Sequence, residues 1–298
     1  MKILLFGKSG QVGWELQRSL APLGELVALD RHSKNFCGDL ANLSGIRDTV
    51  QQIRPDVIVN AAAYTAVDKA ESDVGSARVI NAEAPGVIAE AGEAVGAWLV
   101  HYSTDYVFDG SGSKPWQEAD PTGPLSVYGR TKLEGEQLIA MRCAKHLILR
   151  TSWVYAARGG NFARTMLRLA AEYDRLTVVN DQFGAPTGAD LLADVTAHML
   201  RSVLRGATSS VAGIYHVAAA GETSWHGYAQ FVVDCALQGG AVLKVSPGTV
   251  DPVPASAFPT PAARPHNSRL NTTKLRGVFG LQLPAWQNGV ARMLAETN

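Results

Sequence analysis

A tyrosine and a lysine lie four residues apart in the segment Tyr128-Gly129-Arg130-Thr131-Lys132. On a helix this spacing places both side chains on one face, so the lysine ammonium lies beside the phenol. An isolated phenol has a pKa of about 10 and exchanges protons poorly near neutral pH. A neighbouring positive charge favours the phenolate and lowers that pKa. The spacing therefore predicts that Tyr128 gives or takes a proton, assisted by Lys132.

The Tyr-Lys spacing occurs often by chance, but a hydroxyl that could complete such a site precedes it. Residues 101–110 read HYSTDYVFDG, and Thr104 lies 24 residues before Tyr128. The segment ends an apolar run, and side chains at the carboxyl end of a parallel strand face the crevice where α/β proteins bind ligands. Because side chains alternate along a strand, only one of Ser103 and Thr104 can face that crevice.

A glycine-rich turn follows the first apolar run and precedes a helical pattern. It reads GKSGQVG, with glycines at 7, 10 and 13. In this context backbone N–H groups and the helix dipole bind a pyrophosphate. The pattern predicts a dinucleotide site at Gly7, Gly10, Gln11, Val12 and Gly13, although a purely structural tight turn is an equally good interpretation of the glycines alone.

The second apolar run ends at Asp30, whose carboxylate could accept hydrogen bonds from the hydroxyls of an adenosine ribose. Arg31 follows directly, and its guanidinium could instead hold a 2′-phosphate. We therefore expect the chain to accept both NADH and NADPH.

Two more segments fit the same dinucleotide. Asp39 could accept a hydrogen bond from the adenine amino group. The small side chains that follow residue 60 would let a ligand lie against the backbone. Close packing of a helix on a strand is the alternative for each segment. The residues assigned to the cofactor here are Asp39, Leu40, Ala62, Ala63, Tyr64 and Thr65.

The elements that must position these residues alternate between strand and helix. Continuous apolar runs predict strands at 2–6, 25–29, 56–60, 98–103 and 146–151. Helical spacing predicts helices at 12–23, 43–54, 74–96 and 128–143. This alternation predicts an α/β fold: a Rossmann-like doubly wound parallel sheet with a smaller C-terminal α/β substrate-binding domain.

The alternation is less regular after residue 151. Further helices are expected at 161–173, 190–204, 224–237 and 283–297, with an extended proline-rich connection at 247–265. We assign residues 1–157 to an NAD(P)-binding domain and residues 158–298 to a substrate-binding domain, and later segments can return to the sheet.

Composition excludes several classes of partner. The 298 residues include 27 Lys and Arg and 27 Asp and Glu, so the formal net charge is zero. Nucleic acid and anionic membranes usually require an excess of basic residues, so neither is expected as a partner. No apolar stretch is long enough to span a bilayer, and no leader-like segment follows Met1. We expect a soluble, cytoplasmic protein.

Together these motifs resemble the extended short-chain dehydrogenase/reductase superfamily and, within it, the dTDP-4-dehydrorhamnose reductase family. The strings that carry the resemblance extend along essentially the whole chain. They are GxxGxxG with Asp30, STDYVFDG, YGRTK and the segment RPHNSRL at 264–270.

The resemblance implies a catalytic trio of Thr104, Tyr128 and Lys132 and a reaction. The family reduces the C4 ketone of dTDP-4-dehydro-β-L-rhamnose with NADPH or NADH, in the last step of dTDP-L-rhamnose synthesis for cell-surface polysaccharide. Tyr128 would give the proton, Thr104 would hydrogen-bond the carbonyl oxygen, and Lys132 would hold the nicotinamide ribose. Substrate contacts are implied for Thr104, Asp105, Tyr106, Trp153, Arg264 and Asn267.

For three of these residues, the sequence is also consistent with a position that does not contact the substrate. A tryptophan such as Trp153 is often part of a core. Arg264 and Asn267 could lie in a solvated loop. Some members of the family bind Mg²⁺ in assembling a dimer, so the resemblance leaves a homodimer and a bound Mg²⁺ open. The carboxylates of Glu15, Asp190 and Asp194 could contribute, but their spacing defines no metal site.

Two other functions stay open from the residues. Sugar dehydratases of the superfamily follow the catalytic threonine with an Asp-Glu pair, whereas Asp105 is followed here by Tyr106. Elimination therefore lacks its base, but an epimerase can use the same trio. A non-catalytic NADP-binding regulatory subunit is the third option, and it would not need the phenol and ammonium together.

Overall fold

The computed structural model describes residues 1–206 and 211–297. The strands are β1 (Lys2–Phe6), β2 (Glu25–Leu29), β3 (Val57–Asn60), β4 (Trp98–Thr104), β5 (His146–Thr151), β6 (Val154–Tyr155), β7 (Leu176–Val179), β8 (Phe183–Gly184), β9 (Thr187–Gly188), β10 (Gly213–His216), β11 (Thr223–Ser224) and β12 (Val250–Val253). The α-helices are α1 (Gln11–Leu20), α2 (Leu43–Ile53), α3 (Val67–Ala70), α4 (Val74–Arg78), α5 (Ala84–Val95), α6 (Val127–Arg142), α7 (Phe162–Glu172), α8 (Ala189–Leu204), α9 (Trp225–Gln238), α10 (Thr273–Phe279) and α11 (Trp286–Thr297).

Six of the strands form one parallel sheet in the order β10-β5-β4-β3-β1-β2. Strands β3 and β4 are buried at every position, as expected for strands that are covered on both faces. From β1 the chain first adds β2 on one side and then β3 on the other. The strand order therefore reverses between β1 and β3, and ligands of doubly wound sheets bind at such a point.

Each face of the sheet packs on its own layer of helices. On one face, Leu16 of α1 and Leu192 of α8 pack with alternate strand residues such as Leu5 and Val100. On the other face, α2, α5 and α6 pack on the intervening strand residues, for example Ile139 of α6. The predicted doubly wound α/β fold is thus confirmed, and its alternating strand pattern explains the two layers.

A smaller core lies in the second half of the chain. It is built from α7, α9 and α11 with the short parallel pair β7 and β12. The stretch expected to be an extended connection at 247–265 contains β12 and two short 3₁₀ turns. Strand β10 and helix α8, which belong to the central sheet and its layers, also come from residues 158–298. The division at residue 157 stays a prediction.

The helix expected at 74–96 is interrupted. Residues Val79–Glu83 form a π turn between α4 and α5, and its extra residue places the Asn81 side chain in the interior. Hydrophobic periodicity cannot detect such a turn, because the apolar face continues on both sides of it. None of the described helices combines the length and apolarity that crossing a membrane requires.

Candidate active site

Thr104 and Tyr128 meet at the carboxyl end of β4. Ser126 caps α6 by accepting a hydrogen bond from the Gly129 N–H at 3.1 Å, which places Tyr128 in the first turn of the helix. Gly129 lies so close to the backbone oxygen of Tyr106 that a Cβ atom there would clash. The side chain of Thr104 lies beside the phenol of Tyr128 and acts on its pKa. The structure therefore brings together the two groups predicted to face the substrate carbonyl.

Burial dominates the pKa of Tyr128. Desolvation raises it well above 10, the neighbouring Thr104 side chain lowers it, and the charge of Asp105 raises it further. The ring of Tyr106 packs edge-on against Tyr128, with 5.5 Å between the centroids. The effect of Lys132 on this pKa stays a prediction. The phenol is therefore held in its protonated, proton-donating form.

The amino group of Lys132 lies in the interior, one helical turn from Tyr128. Its Nζ donates to the backbone oxygen of Tyr102 at 2.6 Å and lies 3.1 Å from Nε2 of His101. Burial lowers the pKa of Lys132 to about 8, and the charge of Glu136 raises it in part. Lys132 is therefore a cation that can lose its proton at mildly alkaline pH.

Asp105 is a buried carboxyl group directly beside the hydroxyl pair. Its Oδ1 accepts a hydrogen bond from Thr104 Oγ1 at 3.1 Å, and the Ser268 side chain lies near enough to lower its pKa in part. Burial raises the pKa of Asp105 to about 6. Its Oδ2 has no hydrogen-bond partner among the described residues, and the same is true of the hydroxyls of Thr151 and Ser152 at the end of β5. These buried polar atoms fit a ligand rich in hydroxyl groups.

The glycine turn has the geometry that a dinucleotide pyrophosphate requires. Gly7 has a φ of +89°, and a Cβ atom there would lie 2.7 Å from the backbone nitrogen of Ala62. Helix α1 begins after Gly10 without a side-chain cap. Its first N–H groups therefore face outward beside Gln11, Val12 and Gly13.

Gln11 also joins the two halves of the chain. Its side-chain amide donates to the backbone oxygens of Arg158 and Gly160, at 3.1 and 3.2 Å. The loop after β6 is thereby held beside the glycine turn. A cofactor contact by Gln11 would have to come from its backbone or from a rearranged side chain.

Asp30 and Arg31 follow β2, the neighbour of β1. Asp30 Oδ1 accepts hydrogen bonds from the N–H of His32 at 3.0 Å and from Ser33 Oγ at 3.3 Å. Arg31 is exposed, and its Nε lies 3.1 Å from Nε2 of His32. The carboxylate and the guanidinium thus lie in the same turn. Both groups proposed to contact the adenosine ribose or its 2′-phosphate are therefore close together.

The remaining cofactor residues line the turn after β3 and the loop before α2. Ala62, Ala63 and Tyr64 are half-buried and Thr65 is exposed. Asp39 is half-buried and accepts a hydrogen bond from the Ala41 N–H at 3.1 Å. The side chain of Leu40 packs in the core with Ile46, so only its backbone could reach a ligand. For all of these, the cofactor role stays a prediction.

The predicted substrate residues lie in two settings. Trp153 has a φ of +50° and stacks on Trp225 with 3.6 Å between ring centroids. A positive φ is strained for a residue with a side chain, and such strain clusters at functional sites. Arg264 pairs with Asp68 of α3 at 2.8 Å, and its charge acts on the phenol of Tyr106.

Asn267 lies in the interior and supports a loop. Its Nδ2 donates to the backbone oxygens of Ser111 and Lys114, at 3.2 and 2.9 Å, and its Oδ1 accepts from Arg269. The solvated-loop alternative therefore does not describe Asn267. A direct substrate contact by this side chain stays a prediction.

The comparisons with known proteins agree along the whole chain. A family model described as the RmlD substrate binding domain matches residues 1–298. The chain belongs to this family. It is 60% identical over 296 residues to the dTDP-4-dehydrorhamnose reductase of Salmonella typhimurium, which covers 99% of this chain and 98% of that protein.

Solved structures of similar proteins have the same fold. A dTDP-4-dehydrorhamnose reductase from Clostridium acetobutylicum superimposes with a TM-score of 0.88 at 35% identity, covering 99% of each chain. The reductase from Bacillus anthracis, in complex with NADP, superimposes with a TM-score of 0.86 at 35% identity, again covering 99% of each chain. The family resemblance inferred from the motifs is thereby confirmed.

The carboxylates considered for Mg²⁺ can be located in this member of the RmlD substrate binding domain family. Within residues 1–206 and 211–297, no three His, Cys, Asp or Glu side chains are grouped as metal ligands. Arg18 pairs with Glu15 at 3.4 Å and with Asp194 at 3.0 Å, and Asp190 accepts a hydrogen bond from Leu191. A Mg²⁺ ion stays a prediction.

Sequence reasoning missed several residues that hold the site of this RmlD-type chain together. Asn81 accepts from the Tyr64 N–H at 2.8 Å and donates to the Tyr64 oxygen at 3.1 Å. His101 contacts Lys132, and Glu136 forms a buried ion pair with Arg150 at 2.6 Å. Only Glu136 had a local signal, since it continues the four-residue stripe of Tyr128 and Lys132. The other contacts join segments that are distant in sequence.

Proposed function

We propose that this chain reduces the C4 ketone of dTDP-4-dehydro-β-L-rhamnose to the alcohol of dTDP-β-L-rhamnose, with NADPH or NADH as the reductant. The observation that carries the proposal is the pair of neighbouring side chains Thr104 and Tyr128 at the carboxyl end of β4. Next to this pair lie the buried amino group of Lys132 and the unpartnered Oδ2 of Asp105.

Tyr128 and Thr104 have different roles at the substrate oxygen. A bound reduced nicotinamide supplies a hydride to the carbonyl carbon. Tyr128 gives its phenolic proton to the oxygen as negative charge develops there, so the product is a neutral alcohol. Thr104 hydrogen-bonds the same oxygen and fixes its position relative to the phenol.

Lys132 acts on the phenol and on the cofactor. When Tyr128 has given its proton, the ammonium of Lys132 stabilises the phenolate through its charge. The cofactor ribose would be held by the same ammonium, and its pyrophosphate by the N–H groups at the start of α1. Asp30 and Arg31 would contact the adenosine end, by a carboxylate for NADH and by a guanidinium for NADPH.

The nucleotide sugar would lie along the opposite side of the crevice. Asp105 offers an oxygen that has no partner among the described residues, Arg264 lies beside Tyr106, and Trp153 presents its ring from a strained backbone position. The division into residues 1–157 for the cofactor and 158–298 for the substrate is part of the proposal. So are a homodimer and a cytoplasmic location.

The direct test mixes the purified chain with NADPH and dTDP-4-dehydrorhamnose and follows the absorbance of the reduced nicotinamide. We expect its absorbance to fall in proportion to the ketosugar added. Tyr128→Phe, which removes the proton donor, should lower turnover by about 10²-fold or more while NADPH binding is retained.

Three results would each contradict a different part of the proposal. Oxidation of NADPH by a different ketosugar nucleotide alone would change the substrate and keep the mechanism. Full activity of Tyr128→Phe would remove the tyrosine from its assigned role. Binding of NADPH without any ketosugar reduction would favour the regulatory subunit.

A further inference from the structure

The amino group of Lys132 has an unusual set of partners. It donates to the Tyr102 backbone oxygen at 2.6 Å and faces Nε2 of His101 at 3.1 Å. Glu136 lies one helical turn away, but its carboxylate is engaged by Arg150 at 2.6 Å, with both side chains in the interior. In the part of the chain that the structure describes, the side chain that holds Nζ is therefore a histidine and not a carboxylate.

The orientation of this histidine is set by the neighbouring strand. Asn60 of β3 and His101 of β4 are direct partners in the parallel register, and each is 1% exposed. Asn60 Nδ2 lies 3.1 Å from Nδ1 of His101, and Asn60 Oδ1 accepts from the Ala62 N–H at 3.1 Å. Because the amide oxygen is already used, the amide nitrogen donates to Nδ1 of the ring.

The position of the ring proton follows from these contacts. Burial, and then the charge of Lys132, lower the pKa of His101 far below its usual range, so the ring is neutral. A neutral imidazole with an accepting Nδ1 carries its proton on Nε2. That N–H points at Nζ of Lys132, where it can donate to a neutral amine but not to an ammonium.

A charged Lys132 requires the opposite arrangement. The ammonium must donate to an unprotonated Nε2, so the ring proton must be on Nδ1. Nδ1–H then needs an acceptor, and the Asn60 amide provides one only if it turns and gives up its bond to the Ala62 N–H. The charge on Lys132 and the tautomer of His101 are thus linked through one amide group.

We propose that His101, held by Asn60, is a positioning residue for the reaction: its tautomer switches with the charge on Lys132 and sets the pH at which that charge is lost. In the switch the ring stays neutral, its proton moves from Nδ1 to Nε2, and one proton leaves Lys132 for solvent. The catalytic consequence rests on the proposed function, because Lys132 must be charged to stabilise the phenolate of Tyr128.

The other charged groups around Lys132 are accounted for. Glu136 is the carboxylate whose charge acts on the lysine, and Arg150 of β5 neutralises much of it. Asp105 after β4 acts on Tyr128. On the outer surface of α6, Glu134 pairs with Arg78 of α4, which also pairs with Glu83 of the π turn. Since burial lowers the pKa of Lys132 to about 8, the switch falls within an accessible pH range.

The first experiment reads the tautomer and needs neither substrate nor activity. The chain is labelled with ¹⁵N-histidine, and the signal of His101 among the seven histidines is assigned from its loss in His101→Gln. We expect the ring proton on Nδ1 at about pH 6 and on Nε2 at about pH 9.5, with the change near the pKa of Lys132. The same tautomer at both pH values would overturn the proposal, whatever the enzyme reduces.

The second experiment follows kcat as a function of pH at saturating substrates. In His101→Gln the side-chain amide can turn freely to accept from the ammonium, so the alkaline pKa of kcat should rise by about 0.5–1 unit. In His101→Leu the ammonium loses an acceptor, so that pKa should fall by a similar amount. Thr196→Val removes a buried hydrogen bond to β4 on the opposite face and should leave the alkaline pKa unchanged.

The pair of variants separates positioning from folding. A purely structural histidine would lower stability or kcat in both variants without moving the two alkaline pKa values in opposite directions, and that result would overturn the proposal. If NADPH is not oxidised by the ketosugar while the tautomer still switches with pH, the proposed function fails and the coupling of His101 to Lys132 stands.

Discussion

At the scale of single residues, burial changes the pKa values of several groups in the site. Burial keeps the Tyr128 phenol protonated and lowers the pKa of Lys132 to about 8. It also raises the pKa of Asp105 to about 6. Asp105 is therefore partly neutral at mildly acidic pH, and its state affects both the Thr104 hydroxyl and the stability of the fold.

The raised pKa of Asp105 predicts a stability cost at neutral pH. The folded chain binds this proton more tightly than the unfolded chain, so the contribution is full below about pH 4 and is lost as the pH rises through about 6. The cost reaches about 3 kcal/mol, from about two pKa units. Asp105→Asn should therefore gain stability over the wild type as the pH rises from 4 to 7, measured by urea unfolding.

Asp109→Asn is the control for this prediction, because the stability contribution of Asp109 should change with pH in the opposite direction. Asp109 is exposed, and its backbone hydrogen bond from Ser111 lowers its pKa, so its contribution is present above about pH 4 and lost in acid. Asp109→Asn should be slightly less stable than the wild type at pH 7. If the stability of Asp105→Asn relative to the wild type does not change between pH 4 and pH 7, folding does not raise the pKa of Asp105.

At the scale of elements, the π turn and α6 hold the crevice together. The π turn directs Asn81 to both backbone polar groups of Tyr64, in the loop that follows β3. Helix α6 presents a stripe of Tyr128, Lys132 and Glu136 to the end of β4 and to β5. The Ser103 hydroxyl donates to Glu136, while Thr104 is directed to the phenol. Strand alternation thus directs the Ser103 hydroxyl to a structural contact and leaves the Thr104 hydroxyl for the proposed chemistry.

Asn81→Ala tests whether the π turn supports the cofactor loop. The change leaves the Tyr64 N–H and C=O without partners, so the loop should shift and the Kd for NADPH should rise roughly tenfold, with a loss of stability. Fluorescence titration of NADPH measures the Kd. Thr131→Ala removes the 3.3 Å contact to Asn81 Nδ2 and the 3.0 Å bond from Thr131 to the Tyr128 backbone oxygen, and it keeps both bonds of Asn81 to Tyr64. An unchanged Kd in Asn81→Ala would show that the loop does not contact the cofactor.

At the scale of the whole molecule, both ligands are expected at one edge of one sheet. The turn after β1 and the turn after β3 lie in contact at Gly7 and Ala62, where the strand order reverses. The second half of the chain reaches the same edge through the pair of Asp105 and Ser268 and through Arg264 on Asp68. The proposed cofactor and substrate sites are therefore built from segments along the whole length of the chain.

This arrangement predicts that the cofactor stabilises the folded chain as a unit. At a free NADPH concentration of 100 times its Kd, the gain is about 2.7 kcal/mol, which should raise Tm by roughly 5 °C. A thermal unfolding series with NADPH and NADH measures it. Nicotinamide mononucleotide lacks the pyrophosphate bridge and should have little effect. An equal shift with the mononucleotide would place the binding energy away from the glycine turn.

The sequence by itself determined the features that depend on local spacing. The alternation of strands and helices, the glycine turn before α1 and the four-residue interval of Tyr128 and Lys132 are periodic patterns, because regular backbone repeats impose them on neighbouring residues. Strand alternation predicts that only one of Ser103 and Thr104 faces the crevice, and the family resemblance, not the spacing, indicates that it is Thr104.

Tertiary structure alone decided which distant groups meet. His101 meets Asn60 because β3 and β4 are neighbours in one particular register. Asn81 meets Tyr64 through a π turn, and Ser268 reaches Asp105 from the far end of the chain. Such contacts depend on strand order and helix packing across long sequence separations, which carry no local pattern. The protonation of Lys132 and Asp105 depends in turn on that burial, so it could be read only from the folded chain.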